Sequence, residues 1–375
     1  MPAECFVMQI VKLSTALPKD EYSTDDLLKT FPCTLPEGVE QNVLNLGVST
    51  RRLIRQCDSS NPEAEMDEKP LLALCREACR NAVEEARLSV QDIGCLIVAY
   101  DVNPFLSPGL SQLLVPELGM NSYVRIVNVQ GIASTAFIKT LELAENYLAV
   151  HPEENVLVCV SGVSSYWFQN QVQGLNEVME IGKVNKITDQ ARRERELRKW
   201  VATMEYFLFG DGVAAAVVTK NGEGMRVSKV AEVTNVEEKD YLAGYARLTC
   251  PSEPFKFGFH SHLDKEIPNL GMKYTGLALE RLFGEDVAKM KNARKWAVHT
   301  GSQKILDTLA YHHGISHEKL KESHEILRCY GNLAGASLPF ILQKIVSTAS
   351  LSKGDSIVML GYGWGFSASA CLLES

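Results

Sequence analysis

The 375-residue sequence has little that would suit it to nucleic acid, to a membrane or to a metal. Its 38 Lys and Arg against 46 Asp and Glu leave a net charge of −8, whereas phosphate recognition needs a concentrated basic face. The one basic cluster, Arg192–Arg198, is interleaved with Glu194 and Glu196 and reads as a solvated helix face. Near the N-terminus, MPAECFVMQIVKLSTALPKDEY has no basic leader and its apolar residues are interrupted by Lys12, so neither a signal peptide nor a membrane span is expected and a cytoplasmic protein is. The ten cysteines are scattered without zinc spacing; Cys75 and Cys79 share one helix face, and reduced, buried thiols are the expectation. His260 and His262 form a pair with no third ligand in view, which argues against a metal. Low-complexity segments and short repeats are absent as well.

What is present is a substantial apolar fraction, 46%, arranged in alternating strand and helix patterns. Asp67–Leu88 carries Leu71, Leu72, Leu74, Cys75, Ala78, Val83 and Ala86 near a 3.6-residue period and predicts a helix. The strand Cys95–Tyr100, the helix Gly109–Leu118 and the wholly apolar strand Asn155–Ser161 continue a βαβαβ succession, which points to a layered α/β architecture. A polar helical stretch at about 167–206 departs from that pattern. It reads as a lid over a substrate tunnel, part of a subunit interface, or a solvated surface helix.

The organising stretch is VNVQGIASTAFIKTLELAENYL, Val127–Leu148. A β-type run meets the small residues Gly131, Ala133, Ser134, Thr135 and Ala136, and a helix with apolar Phe137, Ile138, Leu141, Leu143 and Ala144 follows. Small residues at such a turn let a substrate approach backbone N–H groups where the helix dipole favours developing negative charge. Ser134 stands there, either as a nucleophile or as an ordinary N-cap. A second stretch, YGNLAGASLPFILQKIVSTAS, repeats the layout: small residues after Asn332 open another buried helix. Between the two lies KWAVH, a short strand ending in His299, and the chain closes on the glycine-rich turn GYGWGF, with Gly361, Gly363 and Gly365 around Trp364. A hydroxyl, an imidazole, an amide and a backbone N–H in a glycine loop are the parts of acyl-transfer chemistry. Asp211, in the Gly-Asp-Gly turn after Phe209, is expected to tie that turn together.

These segments resemble the thiolase-superfamily condensing enzymes, meaning ketoacyl synthase III and the type III polyketide synthases related to chalcone synthase. GVSTRRLI resembles the early arginine motif of ketoacyl synthase III, FLFGDGVAAAVV the family's LFGDGAAAV segment, WAVHTGSQKILD the catalytic-histidine motif, YGNLAGASLPFIL the catalytic-asparagine motif, and LGYGWGFSASACLL the closing glycine loop. The resemblance implies an α/β, five-layered αβαβα fold made of two similar halves, 1–222 with the nucleophile position and 223–375 with the histidine and asparagine, assembled as a homodimer. It implies no cofactor, only acyl-CoA or acyl-carrier-protein thioesters as substrates. Ser134, His299 and Asn332 fall on the catalytic positions. The backbones of Trp364 and Ser134 fall on the oxyanion hole, Phe209 on the tunnel-side phenylalanine, and Gly363 on the glycine loop. Arg51 and Arg52, beside Arg55, would hold the carrier's phosphate.

The departure is at the nucleophile, which is cysteine in the family. The helix phase of Phe137, Leu141 and Ala144 puts Ser134 at that position; anchoring on Gln130 and Gly131 would put Ile132 there. The activity so implied is decarboxylative Claisen condensation through an acyl-enzyme at residue 134. The alternatives are an O- or N-acyltransferase with a native serine nucleophile, a condensing enzyme disabled by a Cys-to-Ser change, and a silent partner subunit. A silent subunit would have no chemical need for both His299 and Asn332.

Overall fold

The computed structural model describes residues 8–54, 67–248 and 259–375. Its strands are β1 (Met8–Ala16), β2 (Glu21–Ser23), β3 (Thr50–Arg52), β4 (Ile93–Tyr100), β5 (Arg125–Val129), β6 (Asn155–Ser161), β7 (Val213–Thr219), β8 (Met225–Thr234), β9 (Gly244–Leu248), β10 (Phe259–Leu263), β11 (Lys295–Val298), β12 (Ser356–Gly363) and β13 (Ser367–Glu374). Nine of them form one mixed sheet in the order β11-β12-β13-β8-β1-β7-β6-β4-β5. β4 runs parallel to both β5 and β6, and β11 parallel to β12; the remaining pairs are antiparallel. The two halves of the sheet join where Met8–Ile10 pairs with Met225–Val227.

Side chains that alternate along a strand serve two layers at once. In β4, Cys95, Ile97 and Ala99 face the central core while Leu96, Val98 and Tyr100 face an outer one. In β12, Ile357 and Met359 face the same central core, and Val358 and Leu360 face the opposite outer one. The central core is filled by the helices Ala136–Val150 and Ser337–Thr348. The helices Lys69–Glu85 and Leu110–Leu118 cover the first half from outside, and Ile267–Phe283 and Gln303–His313 cover the second. The order helix, sheet, helix, sheet, helix is the five-layered α/β arrangement.

The polar stretch differs from a uniformly solvated helix. Of the helix Gln190–Leu208, the first turns are exposed, but the run Val201–Phe207 is buried without a break. The expected strands at 5–15 and Ala243–Thr249 are seen from Met8 and up to Leu248; Arg55, Cys5, Cys57 and Cys250 lie outside the described residues. The seven described cysteines are all free. No helix among the described residues is long and apolar enough to cross a membrane.

Candidate active site

Both central helices begin in the same way. Ala133 and Ala334 take positive φ, +44° and +46°, each opening a single 3-10 turn (Ala133–Thr135 and Ala334–Ala336) that passes directly into the buried helix. This geometry turns the side chain of Ser134 away from the helix it precedes. Ser134 does not cap that helix: its Oγ lies 2.8 Å from Nε2 of His299, and both residues are buried.

His299 stands one residue past β11, its N–H bonded to the carbonyl of Leu360 at 3.0 Å. Tyr362 meets the imidazole edge to face, with ring centroids 5.3 Å apart. Among the described residues no carboxylate orients the ring, and Nδ1 is buried without a partner. A proton on Nδ1 would therefore be an orphaned buried donor, so the proton belongs on Nε2, where it points at Ser134. Burial holds the imidazole pKa down to about 3, which keeps the ring neutral at physiological pH. A neutral imidazole with its proton on Nε2 is a hydrogen-bond donor, not a ready general base.

Asn332 completes the group. Its backbone pairs with the segment leaving the helix Gln190–Leu208: Asn332 N–H donates to Leu208 O at 2.9 Å and Gly210 N–H to Asn332 O at 3.2 Å, with Phe209 bridged between. Its Oδ1 accepts from Ala334 N–H at 2.8 Å, which fixes the amide and leaves the NH₂ for a ligand. The strand end carrying His299 is tied to this turn through the hydroxyls of Thr300 and Ser337, 2.9 Å apart, with Ser337 Oγ also accepting from Leu333 N–H.

The glycine loop lies against the Ser134 turn. A Cβ on Gly361 would sit 2.6 Å from the Ser134 carbonyl oxygen and could not be accommodated without a shift of the backbone, and one on Gly363 would press on the Ser134 turn, 3.0 Å from the Ala133 Cβ and 3.2 Å from the Ser134 nitrogen. Trp364 follows at the half-buried turn, with its indole against Gly244. Phe209 stacks on Phe168 at 4.2 Å, forming an aromatic wall beside Asn332. Asp211 is fully buried and receives N–H bonds from Ile54, Ser164 and Ser165, a structural brace as its turn suggested.

The arginine expectation needs correction. Arg51 is fully enclosed, with Nη2 on the Thr24 hydroxyl at 2.9 Å, and burial pulls its pKa down to about 10. A guanidinium sealed behind the β2–β3 ribbon does not reach a carrier's phosphate. Arg52 is partly exposed but already paired with Glu21 at 2.9 Å and with the Lys19 carbonyl at 2.6 Å. Ile132, the other position considered for the nucleophile, packs partly buried against the central core. Of the histidine pair, His262 stacks on Tyr245, and among the described residues no three His, Cys, Asp or Glu side chains are placed to hold a metal. A group the sequence did not disclose is Glu205, wholly buried one helical turn before Phe209. Its only signal was a carboxylate in the buried run of an otherwise polar helix.

Residues 288–375 match the family described as 3-oxoacyl-[acyl-carrier-protein (ACP)] synthase III C terminal. The 3,5-dihydroxyphenylacetyl-CoA synthase of Amycolatopsis balhimycina is 25% identical over 98% of this chain and 93% of its own length. The beta-ketoacyl-[acyl-carrier-protein] synthase III of Clostridium perfringens is 25% identical over 80% of this chain and 83% of its own. Among solved structures, the 1,3,6,8-tetrahydroxynaphthalene synthase of Streptomyces coelicolor A3(2), a bacterial type III polyketide synthase, superposes with a TM-score of 0.79 at 21% identity, covering 98% of this chain and 99% of that one.

Proposed function

We propose that the chain is a condensing enzyme of the thiolase superfamily and that it forms a C–C bond by decarboxylative Claisen condensation with residue 134 as the acyl carrier. The observation that carries the proposal is the 2.8 Å contact between Ser134 Oγ and His299 Nε2, with Asn332 held nearby by its own turn. An acyl thioester transfers its acyl group to Ser134 Oγ; the hydroxyl proton leaves with the thiolate as the free thiol. A malonyl-type thioester then enters, and Nε2–H of His299 with the NH₂ of Asn332 donates to its thioester oxygen. Loss of CO₂ breaks the bond from C2 to the carboxylate and leaves the thioester enolate, whose C2 attacks the ester carbonyl carbon of the acyl group on Ser134. The tetrahedral oxyanion is met by the backbone N–H groups of Ser134 and Trp364, and Ser134 Oγ departs and takes up one proton from solvent, which balances the charge lost with CO₂.

A serine makes the loading step the slow one. The site offers a neutral imidazole with no carboxylate behind it among the described residues, whereas a thiol at the same place would ionise far more readily. Decarboxylation needs no nucleophile, only the two donors. The donor is a coenzyme A or carrier-protein thioester, and the enzyme is an acyltransferase in the sense that the acyl group passes through residue 134. We place it in the cytoplasm, with its seven described thiols reduced. We further divide the chain into halves at 1–222 and 223–375, with the helices at about 167–206 as the insertion. A homodimer fits the free edge of the sheet: β5 is its terminal strand, Ile126 on it is 39% exposed and neighbouring Tyr123 is 91% exposed.

The test is product analysis after incubation with an acyl-CoA starter and malonyl-CoA labelled at C2. Label in a chain-extended product supports condensation. Starter acyl groups transferred to alcohols or amines without label would instead make it an O- or N-acyltransferase.

A further inference from the structure

Glu205 sits where the buried run of the helix Gln190–Leu208 approaches the site: Phe209 N–H bonds the Glu205 carbonyl at 3.0 Å, and Phe209 itself is bridged to Asn332 and stacked on Phe168. The carboxyl is enclosed by polar side chains from two other elements. Gln171, at the end of the helix Ser165–Gln171, donates to Oε2 at 3.4 Å, and the Ser261 hydroxyl of β10 lies beside the carboxyl without completing a hydrogen bond. Gln169, two residues before Gln171, spends its amide on the Tyr206 carbonyl. Three buried oxygens of this cluster, Glu205 Oε1, Gln169 Oε1 and Ser261 Oγ, have no partner among the described residues.

Buried polar atoms without partners are rare, and apolar side chains would fill the same space at less cost. Ser261 Oγ and Glu205 lie close enough to interact with each other, and together with Gln169 Oε1 they put three incompletely bonded oxygens near the aromatic wall of the site, where a ligand oxygen would find partners. Among the described residues no cation compensates Glu205. Burial pushes its pKa up to about 8, tempered by Ser261 and Gln171, so near neutral pH it is a carboxylic acid with an O–H to give. The cluster thus offers donors from Glu205, Ser261 and Gln171 and an acceptor from Gln169.

We propose that Glu205, Gln171 and Ser261 form a polar subsite that hydrogen-bonds a keto or hydroxyl oxygen on the acyl chain, selecting oxygenated acyl thioesters over saturated ones. The subsite rests on the reading above that the site accepts acyl thioesters. A site built to hydrogen-bond a substrate oxygen discriminates against the analogue lacking it, because its own polar groups are then left unpaired.

The experiment is titration calorimetry on the full chain carrying Ser134→Ala, which prevents turnover, with hexanoyl-CoA, 3-oxohexanoyl-CoA and 5-oxohexanoyl-CoA. At least one oxo ligand is expected to bind roughly tenfold or more tightly than hexanoyl-CoA, the effect of about one well-made hydrogen bond. Adding Glu205→Leu should erase that preference while leaving hexanoyl-CoA affinity unchanged or improved; Glu205→Gln, which keeps a donor, should retain most of it. Ser261→Ala gives a milder variant, and a partial loss of preference there supports the subsite even if Glu205→Leu fails to fold. Equal affinity for all three ligands, or a preference untouched by both Glu205→Leu and Ser261→Ala, would overturn the subsite alone. Failure of all three to bind, both as CoA thioesters and as the same acyl groups on a carrier protein, would overturn the acyl-thioester reading, and the subsite with it.

Discussion

The turns at Ser134 and Gly335 have the same backbone and different chemistry. Each has a left-handed alanine, one 3-10 turn and a buried helix behind it. In the first, the central residue is a serine whose hydroxyl meets an imidazole; in the second, it is a glycine, and the polar group stands two residues before the strained alanine, as Asn332. The strained amide is held differently too. Asn332 Oδ1 takes Ala334 N–H, whereas the Asp101 carboxyl, from the loop after β4, faces the N–H groups of Gly131 and Ala133. A left-handed alanine costs on the order of 1 kcal/mol, and here the cost occurs in the turn without a nucleophile as much as in the turn with one. The strain therefore belongs to how a strand enters a central helix in this fold, and the chemistry is added by single side chains placed on that shared geometry.

The sharpest way to separate the turns is to remove the donors that serve them. Replacing His299 with alanine should lower the condensation rate by roughly 10²–10³-fold, the usual loss for a missing oxyanion donor, and steady-state kinetics with thermal unfolding should find the fold intact. Asn332→Ala should lose a similar factor and also about 1 kcal/mol of stability, because Ala334 N–H loses its acceptor. If Asn332→Ala left stability unchanged, the two turns would not differ in the way described.

Burial acts in opposite senses on the titratable groups beside the two turns. His299, held near pKa 3 against 6.5 in a free side chain, binds its proton only in the unfolded chain over that interval, so its contribution to stability is lost as pH falls from 6.5 towards 3. Glu205, raised to about 8 from 4.5, ionises first in the unfolded chain, so stability is lost as pH rises from 4.5 towards 8. Each effect approaches about 1.4 kcal/mol per pH unit. Melting temperatures across this range should show a shallower alkaline decline in Glu205→Gln. Activity should show no inflection near pH 6.5 from His299.

Smaller effects follow from the central residues. A Cβ on Gly335 would lie 2.9 Å from the Ala136 Cβ and 3.2 Å from the Ala133 carbonyl oxygen, so Gly335→Ala should destabilise by about 1–3 kcal/mol in denaturant unfolding, while Ser134→Ala should change stability by less than about 1 kcal/mol. Smallest of all, Ala133→Gly and Ala334→Gly should shift stability by similar amounts, within about 1 kcal/mol, because relief of the left-handed strain is offset by a more flexible unfolded chain.

How much of this was legible follows the same division. The two turns announce themselves locally, as small residues before apolar helical periods, and the histidine and asparagine sit in short motifs, so Ser134, His299 and Asn332 are named from sequence. The phase of Phe137, Leu141 and Ala144 points to Ser134 over Ile132, and Ser134 is the side chain that meets the imidazole. Arg51 was not legible: it lies in a strand of three residues, too short for any burial pattern, and its enclosure depends on Gly210 and Tyr206 packing from far along the chain. Glu205 was hidden for the opposite reason. The charged first turns of its helix mask a last stretch buried on every side, where periodicity carries no information.

The central claim, that residue 134 carries the acyl group, is tested most directly by intact-protein mass spectrometry after incubation with a panel of acyl-CoA thioesters. The account predicts an acyl adduct on the Ser134 protein that forms slowly, forms faster with Ser134→Cys and is absent with Ser134→Ala. An adduct of the same mass and yield on Ser134→Ala would contradict it, placing the acyl group on another residue.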